Sequence, residues 1–386
     1  MIPYGKQEIT QHDIDAVINV LKSDFLTQGP QVPLFESAIK NATGASHALA
    51  TNSATSALHL ACLALGVGKG DVVWTTPVTF VASSNCALYC GADIDFVDVD
   101  AETYNLSPEK LADKLAYAKA HNLPLPKVVI PVHLCGQPCE MQAIHSLGQE
   151  YGFAIIEDAS HAIGGRYQDQ PIGNCEYSDI TVFSFHPVKI VTTAEGGAAT
   201  TNNTQLADKM ALLRSHGITR DPELMTEPTH GGWYYQQIEL GYNYRMTEMQ
   251  AALGVSQMTR LDDFVAKRNQ LAAGYDTLLQ GLPLILPKQI NASYSGRHLY
   301  VIRLKLDEIK LSHLEVFTAL REAGIGVNLH YIPVHLQPYY QDLGFSKGQF
   351  PEAEDYYTQA ISIPLYHHMT TLQQQQVVDS ITKIIT

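Results

Sequence analysis

The sequence predicts an α/β protein with a large, mostly parallel-sheet domain over residues 1–250 and a smaller α+β domain over residues 251–386. Three observations support this prediction. The chain has 386 residues, which is too long for one ordinary hydrophobic core. Short apolar strands alternate with helical patterns up to about residue 215. After the turn at Gly281-Leu282-Pro283, strands and helices follow one another in a different order.

Two amphipathic helices are predicted before the first strand. Apolar residues recur at helical spacing over residues 10–23 and 32–42, and the run Thr27-Gln28-Gly29-Pro30 separates the two patterns. A short apolar strand is predicted next, at residues 47–51, and a helix at residues 57–65.

The prediction of a parallel sheet depends on the strands that follow. They are predicted at residues 71–76, 94–99, 127–133, 153–158 and 180–185, with a short β segment at 196–201. Helical stretches lie between most of these strands, as in a parallel sheet that is covered on both faces. Farther along, helical patterns occupy residues 205–215 and 247–279, and the smaller domain is predicted as strand 299–306, helix 312–323, strand 326–331 and helix 372–385.

Composition and charge exclude several classes of partner. The formal net charge of −14 argues against binding to nucleic acid or to an anionic membrane surface. No apolar run approaches the roughly 20 residues of a membrane helix. The six cysteines are scattered and no signal-peptide pattern is present, so we expect a cytoplasmic protein with reduced thiols.

Two short motifs suggest sites that their context does not support. His133, Cys135 and Cys139 are metal-ligating residue types, but their spacing fits no standard zinc pattern, so we expect no metal. The glycine-rich run at residues 66–70 resembles a nucleotide-binding loop. It precedes a strand and lacks a Ser or Thr after Lys69, so it is better explained as a helix end and a turn.

The stretch from residue 184 to residue 197 contains a lysine just after a buried strand. Burial lowers the pKa of a lysine, and a neutral amine is a nucleophile that can form a Schiff base. Taken alone, Lys189 is better explained as an ordinary lysine, one of 25 Lys and Arg residues, with its charged end in solvent. Other parts of the chain have to support a catalytic role.

Three other strand ends offer complementary groups. Ser53, Ala54 and Thr55 lie where a strand leads into a helix, so they either bind an anion such as phosphate or only cap the helix. Asp158 ends a buried strand, where a carboxylate either pairs with a cation such as a pyridinium nitrogen or caps the next helix. Phe80 either stacks on a planar ring or packs in the core.

These groups together indicate a single cofactor. The anion-binding turn, the aromatic residue, the aspartate and the lysine occur in that order, each after a parallel-type strand, where open α/β sheets bind ligands. This order resembles the large domain of the fold-type I (aspartate aminotransferase-like) enzymes, which use pyridoxal 5'-phosphate (PLP).

Further motifs resemble the DegT/DnrJ/EryC1/StrS family of sugar aminotransferases along nearly the whole chain. They are Thr27-Gln28-Gly29-Pro30, Asn52-Ser53-Ala54-Thr55-Ser56-Ala57-Leu58, Glu157-Asp158-Ala159-Ser160-His161, Ser184-Phe185 with Lys189, Glu195-Gly196-Gly197, Asn243-Tyr244-Arg245-Met246-Thr247-Glu248-Met249-Gln250-Ala251-Ala252 and His330-Tyr331. Within the family, the chain resembles the subgroup of 4-aminotransferases of the pseudaminic acid pathway at Ala54 and His161. Many other relatives have glycine at the position of Ala54 and glutamine at that of His161.

The resemblance implies a role for each candidate residue. Lys189 would hold PLP covalently and move protons, and Asp158 would keep the ring nitrogen protonated. The other implied cofactor contacts are Ser53, Ala54, Thr55, Phe80, His161, Ser184 and, from the partner subunit of a homodimer, Asn243. The implied sugar-nucleotide contacts are Tyr4, Phe25, Leu26, Thr27, Gln28, Asn243, Asn328, Leu329, His330 and Tyr331.

The resemblance also implies the reaction. L-glutamate would donate the amino group, and UDP-2-acetamido-2,6-dideoxy-β-L-arabino-hex-4-ulose would accept it. The dehydratase branch of the family has histidine at the position of Lys189, so the lysine favours transamination. Three alternatives remain at this point: another UDP- or dTDP-keto sugar, including a 3-keto sugar; a non-catalytic PLP-binding regulator; and a nicotinamide oxidoreductase, although no glycine fingerprint follows the first strand.

Overall fold

The structure, a computed structural model, describes all 386 residues. Its helices are α1 (Gln11–Leu21), α2 (Gln31–Thr43), α3 (Ala54–Ala64), α4 (Ala82–Tyr89), α5 (Pro108–Ala120), α6 (Met141–Tyr151), α7 (Thr204–Arg214), α8 (Glu248–Met258), α9 (Leu261–Leu278), α10 (His313–Glu322), α11 (Pro338–Asp342), α12 (Pro351–Gln359) and α13 (Thr371–Ile385). None of these helices combines the length and the apolarity that a membrane crossing requires.

The strands are β1 (His47–Thr51), β2 (Val72–Thr75), β3 (Asp93–Phe96), β4 (Val128–Ile130), β5 (Ala154–Asp158), β6 (Arg166–Tyr167), β7 (Gln170–Pro171), β8 (Ile180–Ser184), β9 (Gly197–Thr201), β10 (Ile218–Thr219), β11 (Gln236–Gln237), β12 (Leu284–Ile285), β13 (Ser293–Tyr294), β14 (Tyr300–Leu304) and β15 (Ala360–Ile363). Short helical turns lie at Leu134–Gly136 and Val334–Leu336.

A seven-stranded sheet forms the centre of the large domain, in the order β1-β9-β8-β5-β4-β2-β3. Every strand runs in the same direction except β9, which is antiparallel to both of its neighbours. The predicted mostly parallel sheet is therefore confirmed. Because β1, β2, β5 and β8 are parallel, their carboxyl ends meet at one edge, and the loops that follow them are neighbours in space.

Two adjacent glycines allow β9 to pass close to this edge. A Cβ atom on Gly197 would lie 2.4 Å from the amide nitrogen of Ala54, and one on Gly196 would lie 2.1 Å from Oγ1 of Thr193. Real Cβ atoms do not approach other atoms so closely. The Gly196-Gly197 pair of the family motif thus has a packing role, since it places β9 directly beside the start of α3.

The small domain contains a three-stranded antiparallel sheet, β12-β14-β15. The strand predicted at residues 326–331 is wrong, because only Asn328 pairs there, as an isolated bridge to Ser362. The adjoining edge of β14 is instead taken by β15, which the sequence patterns did not indicate. The N-terminal segment also joins this domain through pairing of Ile2 with Ile325.

The single helix predicted at residues 247–279 is also wrong, since the structure divides it into α8 and α9. The break lies at Arg260, which directly precedes α9. The guanidinium group of Arg260 forms an ion pair with Asp13 at 2.7 Å. The domain boundary at residue 250 stays a prediction. Leu261 and Phe264 of α9 belong to a core shared with α2, β8 and β9, and Leu271 and Tyr275 belong to the core of the small domain.

Candidate active site

A cavity of about 480 Å³ opens at the carboxyl edge of the large sheet, beside residues from the small domain. It brings together many of the predicted site residues: Tyr4, Ser53, Ala54, Thr55, Phe80, Asp158, His161, Ser184, Lys189, His330 and Tyr331. Thr79, Ser160, His186 and Glu195 also line it. No role is predicted for these four residues from the sequence.

The start of α3 offers free hydrogen-bond donors to this cavity. The side chain of Ser53 accepts the backbone N–H of Ser56 at 3.1 Å and so caps the helix. The amide groups of Ala54 and Thr55 have no acceptor within the protein. Two free N–H groups at the positive end of a helix form an anion-binding site, and a phosphate group is the anion they fit best.

Lys189 is half-buried and lies in the loop after β8, where its backbone N–H donates to the carbonyl of His186 at 2.9 Å. Burial of the amine disfavours its charged form and lowers its pKa to about 8, although Asp158 and Cys135 act in the opposite direction. The neutral, nucleophilic fraction of this amine near neutral pH is therefore much larger than that of an ordinary lysine.

Asp158 is buried at the end of β5 and has two hydrogen-bond donors. The hydroxyl of Ser83 donates to Oδ2 at 2.6 Å, and the backbone N–H of Ser160 donates to Oδ1 at 3.1 Å. Ser83 is in turn 2.8 Å from the hydroxyl of Thr79. The two donors fix the orientation of the carboxylate, which lines the cavity where it can meet a cationic group. No signal in the sequence indicated Ser83, which lies 75 residues before Asp158.

His161 is held neutral with its proton on Nε2. The backbone N–H of Cys135 donates to Nδ1 at 3.3 Å, and Nε2 lies 3.2 Å from the hydroxyl of Tyr331. Burial, together with the positive charge of Lys189 and with His330, places the pKa of His161 well below its ordinary value. The imidazole is therefore a fixed N–H donor toward the cavity rather than a cation.

The aromatic rings of Phe80 and Tyr331 lie close together at the cavity, with centroids 6.2 Å apart. Phe80 is 59% exposed, so it is not a core residue, and its exposed ring is available to stack on a planar ligand.

Tyr331→Phe is expected to lower kcat/KM about tenfold, because it removes a hydrogen bond worth about 1–1.5 kcal/mol that orients His161 and the loop around it. Steady-state kinetics with each substrate varied in turn would measure this effect. Tyr339→Phe is the matched control, since Tyr339 is exposed and does not line the cavity. An unchanged kcat/KM in Tyr331→Phe would contradict the role given to this hydrogen bond.

Several predicted site residues lie outside the cavity of this chain. Phe25, Leu26, Thr27 and Gln28 are exposed in the loop between α1 and α2. Asn243 is also exposed, and its carbonyl accepts the side-chain amide of Asn52 at 3.4 Å. Asn328 and Leu329 lie near β15 and do not line the cavity either. The roles of these residues stay predictions.

His133 lies behind the site, and both of its ring nitrogens already have partners. The backbone N–H of Cys139 donates to Nδ1 at 3.1 Å, and Nε2 lies 2.7 Å from Oε2 of Glu157. The histidine thus anchors the strand that ends in Asp158.

Known proteins are similar to this chain along nearly its whole length. The sequence model of the DegT/DnrJ/EryC1/StrS aminotransferase family matches residues 7–382. A relative named UDP-4-amino-4,6-dideoxy-N-acetyl-beta-L-altrosamine transaminase, from Campylobacter jejuni, is 38% identical over 386 residues, which cover 100% of this chain and 98% of the relative.

Two solved structures are similar along their whole length. Helicobacter pylori PseC, an aminotransferase involved in the biosynthesis of pseudoaminic acid, has a TM-score of 0.89 and 30% identity, covering 100% of this chain and 99% of its own. The PLP form of the putative sugar aminotransferase Spr1654 from Streptococcus pneumoniae has a TM-score of 0.88 and 28% identity, covering 100% of both chains. These matches confirm the predicted fold type, and this chain is an aminotransferase of the PLP-dependent DegT/DnrJ/EryC1/StrS family.

Proposed function

We propose that this chain binds PLP in the 480 Å³ cavity and transfers the amino group of L-glutamate to a UDP-linked 4-keto-6-deoxy sugar. The proposed acceptor is UDP-2-acetamido-2,6-dideoxy-β-L-arabino-hex-4-ulose, and the product is UDP-4-amino-4,6-dideoxy-N-acetyl-β-L-altrosamine. The observation that carries the proposal is the arrangement of Lys189, Asp158 and the free amides of Ala54 and Thr55 around one cavity. The names of the relatives support the choice of sugar.

The residues of the cavity fit the chemical groups of PLP. The unpartnered amides of Ala54 and Thr55 at the start of α3 match the phosphate, and Ser184 lines the same cavity. The ionised carboxylate of Asp158 matches a protonated ring nitrogen, and the amine of Lys189 matches the aldehyde. The exposed ring of Phe80 matches a flat pyridine ring.

The bound cofactor would supply an electron sink for the carbanion that forms at the substrate carbon. Lys189 Nζ would accept the proton from that carbon and give it up to a cofactor carbon, because a free amine with a pKa of about 8 can both accept and donate a proton. Asp158 would hold a positively charged ring nitrogen, and His161 would lie near the ring hydroxyl. Tyr4, His330 and Tyr331 would contact the sugar from the small-domain side of the cavity.

Capture of PLP by the cofactor-free chain is expected to accelerate as the pH rises to about 8 and to level off above it, because only the neutral amine of Lys189 attacks an aldehyde. Stopped-flow absorbance would measure the rate. Nα-acetyl-lysine is the control. Its amine has the ordinary lysine pKa of 10.5, so its rate of reaction with PLP should keep rising with pH well above pH 8. If the rate of PLP capture by the protein keeps rising up to pH 10, as the rate for Nα-acetyl-lysine should, the lowered pKa of Lys189 is contradicted.

We also propose a homodimer in which Asn243 and the 25–28 loop approach the partner's cavity. Large apolar side chains are exposed on two surfaces that a partner would cover: Ile14, Ile18, Leu21, Phe25 and Leu26 near α1, and Trp233, Tyr235 and Leu240 near β11. Exposed apolar surface of this extent is characteristic of an interface.

Mixed dimers of Lys189→Ala and Asn243→Ala subunits test this arrangement. If Asn243 acts in the partner's site, one site of each mixed dimer is intact, and a fully exchanged mixture should recover about a quarter of wild-type activity. Subunits exchanged under mild denaturant and assayed after refolding would measure the recovery. No recovery above the two separate variants would place Asn243 in its own subunit's site or in none.

The choice of substrate is tested by incubation with L-glutamate and a panel of UDP- and dTDP-linked 4-keto and 3-keto sugars, with products analysed by mass spectrometry and NMR. We expect turnover of the UDP-linked 4-keto sugar. Equal turnover of dTDP-linked sugars would contradict the nucleotide assignment, and preference for a 3-keto sugar would contradict the regiochemistry. Absence of transamination with every sugar would favour a non-catalytic PLP-binding protein.

A further inference from the structure

Outside the cavity, three metal-ligating side chains come together where the N-terminal segment meets the small domain. Glu8 precedes α1, and His367 and His368 lie in the loop between β15 and α13. One donor atom from each of the three residues lies within 4.8 Å of the other two. None of these residues lines the 480 Å³ cavity. We propose that Glu8, His367 and His368 bind a divalent transition-metal ion such as Zn²⁺.

The distances between the donor atoms suit one small ion. Oε2 of Glu8 lies 2.5 Å from Nδ1 of His367, and Oε1 of Glu8 lies 3.0 Å from Nε2 of His368. The ligands of a tetrahedral zinc ion lie about 3.3 Å apart, given metal–ligand bonds of about 2.0–2.1 Å. Side-chain rotations that open these two contacts by less than about 1 Å would therefore make room for the ion.

Two of the donor atoms lack any other partner. Oε2 of Glu8 and Nδ1 of His367 are buried and make no hydrogen bond, although they lie only 2.5 Å apart. Their contact is thus not aligned as a hydrogen bond, and neither atom has another partner. Buried polar atoms without partners are rare in folded proteins. An ion between the two atoms would satisfy both of them, which a hydrogen bond in this geometry does not.

Two guanidinium groups lie near the three ligands: that of the buried Arg268, which donates to backbone carbonyls, and that of Arg260. Nη1 of Arg260 lies 3.3 Å from Oε1 of Glu8, and Nη2 of the same side chain is 2.7 Å from Asp13. The guanidinium of Arg260 is therefore paired chiefly with the buried Asp13, and its contact with Glu8 is the longer of the two. Arg260 approaches only one of the two oxygens, and a carboxylate oxygen has more than one lone pair to offer.

Neighbouring side chains already hold the ligands in place. Nε2 of Gln257 donates to the carbonyl of Glu8 at 2.8 Å, which fixes the backbone that carries the carboxylate. The ring of Phe264 packs edge-on against the ring of His367, with centroids 4.8 Å apart. Such outer contacts orient metal ligands before the ion binds.

The type of ligand selects the class of metal. Two imidazoles and one carboxylate form the nitrogen–oxygen set that zinc and its neighbours in the first transition row prefer, and water can complete the coordination. Mg²⁺ and Ca²⁺ prefer oxygen ligands alone, so they should bind poorly. The bound ion would tie residues 1–10 to the small domain near Tyr4, whose carbonyl already accepts the N–H of Leu365 at 3.0 Å.

Titration calorimetry of the PLP-loaded enzyme with ZnCl₂ tests the site, after treatment with a chelator and removal of free PLP. We expect one binding event per chain, which Glu8→Gln and His368→Ala weaken more than about 100-fold. His121→Ala is the matched control, because His121 is exposed at the end of α5, far from Glu8 in the sequence. This variant should bind zinc as the wild type does. A parallel titration with MgCl₂ should show no binding.

Two results would overturn the proposal: no zinc binding by the wild-type enzyme, or zinc binding that is equal in the wild type, Glu8→Gln and His368→Ala. His368 is the most exposed of the three ligands, so His368→Ala keeps the test valid if Glu8→Gln fails to fold. Thermal unfolding with and without ZnCl₂ gives a second readout. Zinc should raise the Tm of the wild type and of His121→Ala but not that of the two ligand variants.

Discussion

Lys189→Ala is expected to reduce kcat by at least about 10⁴-fold while leaving the fold intact. The side chain lines an open cavity, so its removal leaves no closed void in the core. The substitution removes the nucleophile that would hold PLP and the base that would move the proton, and no other lysine lines the cavity. The purified variant should also lose the visible absorption band of the lysine-linked cofactor.

Steady-state kinetics and an absorption spectrum would measure both effects of this substitution. Lys69→Ala is the matched control, because Lys69 is an exposed lysine in the turn at residues 66–70. Lys189→Arg separates the effect of the positive charge from the effect of the nucleophilic amine, since arginine keeps the charge and lacks the amine. Full turnover by Lys189→Ala would contradict the proposed mechanism.

Asp158→Asn is expected to lower kcat about 10²–10³-fold with little change in stability. The amide keeps the size of the side chain but has no negative charge to hold a protonated ring nitrogen. Its amide oxygen can still accept the N–H of Ser160 and its NH2 group can donate to the hydroxyl of Ser83, so both local hydrogen bonds remain possible.

Glu157→Gln is the contrasting variant, because Glu157 precedes Asp158 on β5 and does not line the cavity. Its carboxylate receives hydrogen bonds from Ser178 at 2.5 Å and Thr181 at 3.0 Å, and His133 lies 2.7 Å away. Loss of these charged hydrogen bonds should lower the free energy of unfolding by about 2 kcal/mol without changing kcat.

The pH dependence of Glu157→Gln gives a further check. Burial disfavours the charge on Glu157, but hydrogen bonds from His133, Ser178 and Thr181 outweigh it and hold its pKa below the ordinary value of 4.5. The charged form therefore stabilises the fold above pH 4.5, and the contribution disappears as the pH falls through the lowered pKa. The stability difference between wild type and variant, measured by urea unfolding, should shrink over that range. Equal kcat losses in Asp158→Asn and Glu157→Gln would contradict the separate roles given to the two carboxylates.

Local patterns in the sequence predicted most of the large domain. The alternation of short apolar strands and helical stretches determines a parallel sheet, and a parallel sheet brings the ends of its strands to one edge. This rule is sufficient to place Ala54, Phe80, Asp158 and Lys189 around one cavity. The smaller domain was harder to predict. Strand β15 was missed and residues 326–331 were wrongly given a strand, because pairing with β14 depends on which distant segment reaches that edge.

The sequence by itself determined the residue types of the site, their order along the chain and the family to which the protein belongs. Only the tertiary structure decided how those residues are held: Ser83 against Asp158, the Cys135 amide against His161, and Glu8 against the two histidines of the small domain. The physical reason is the range of the interactions. Periodicity and caps act within a few turns of chain, but these contacts join segments that are far apart in sequence and meet only after the sheet and the small domain have packed.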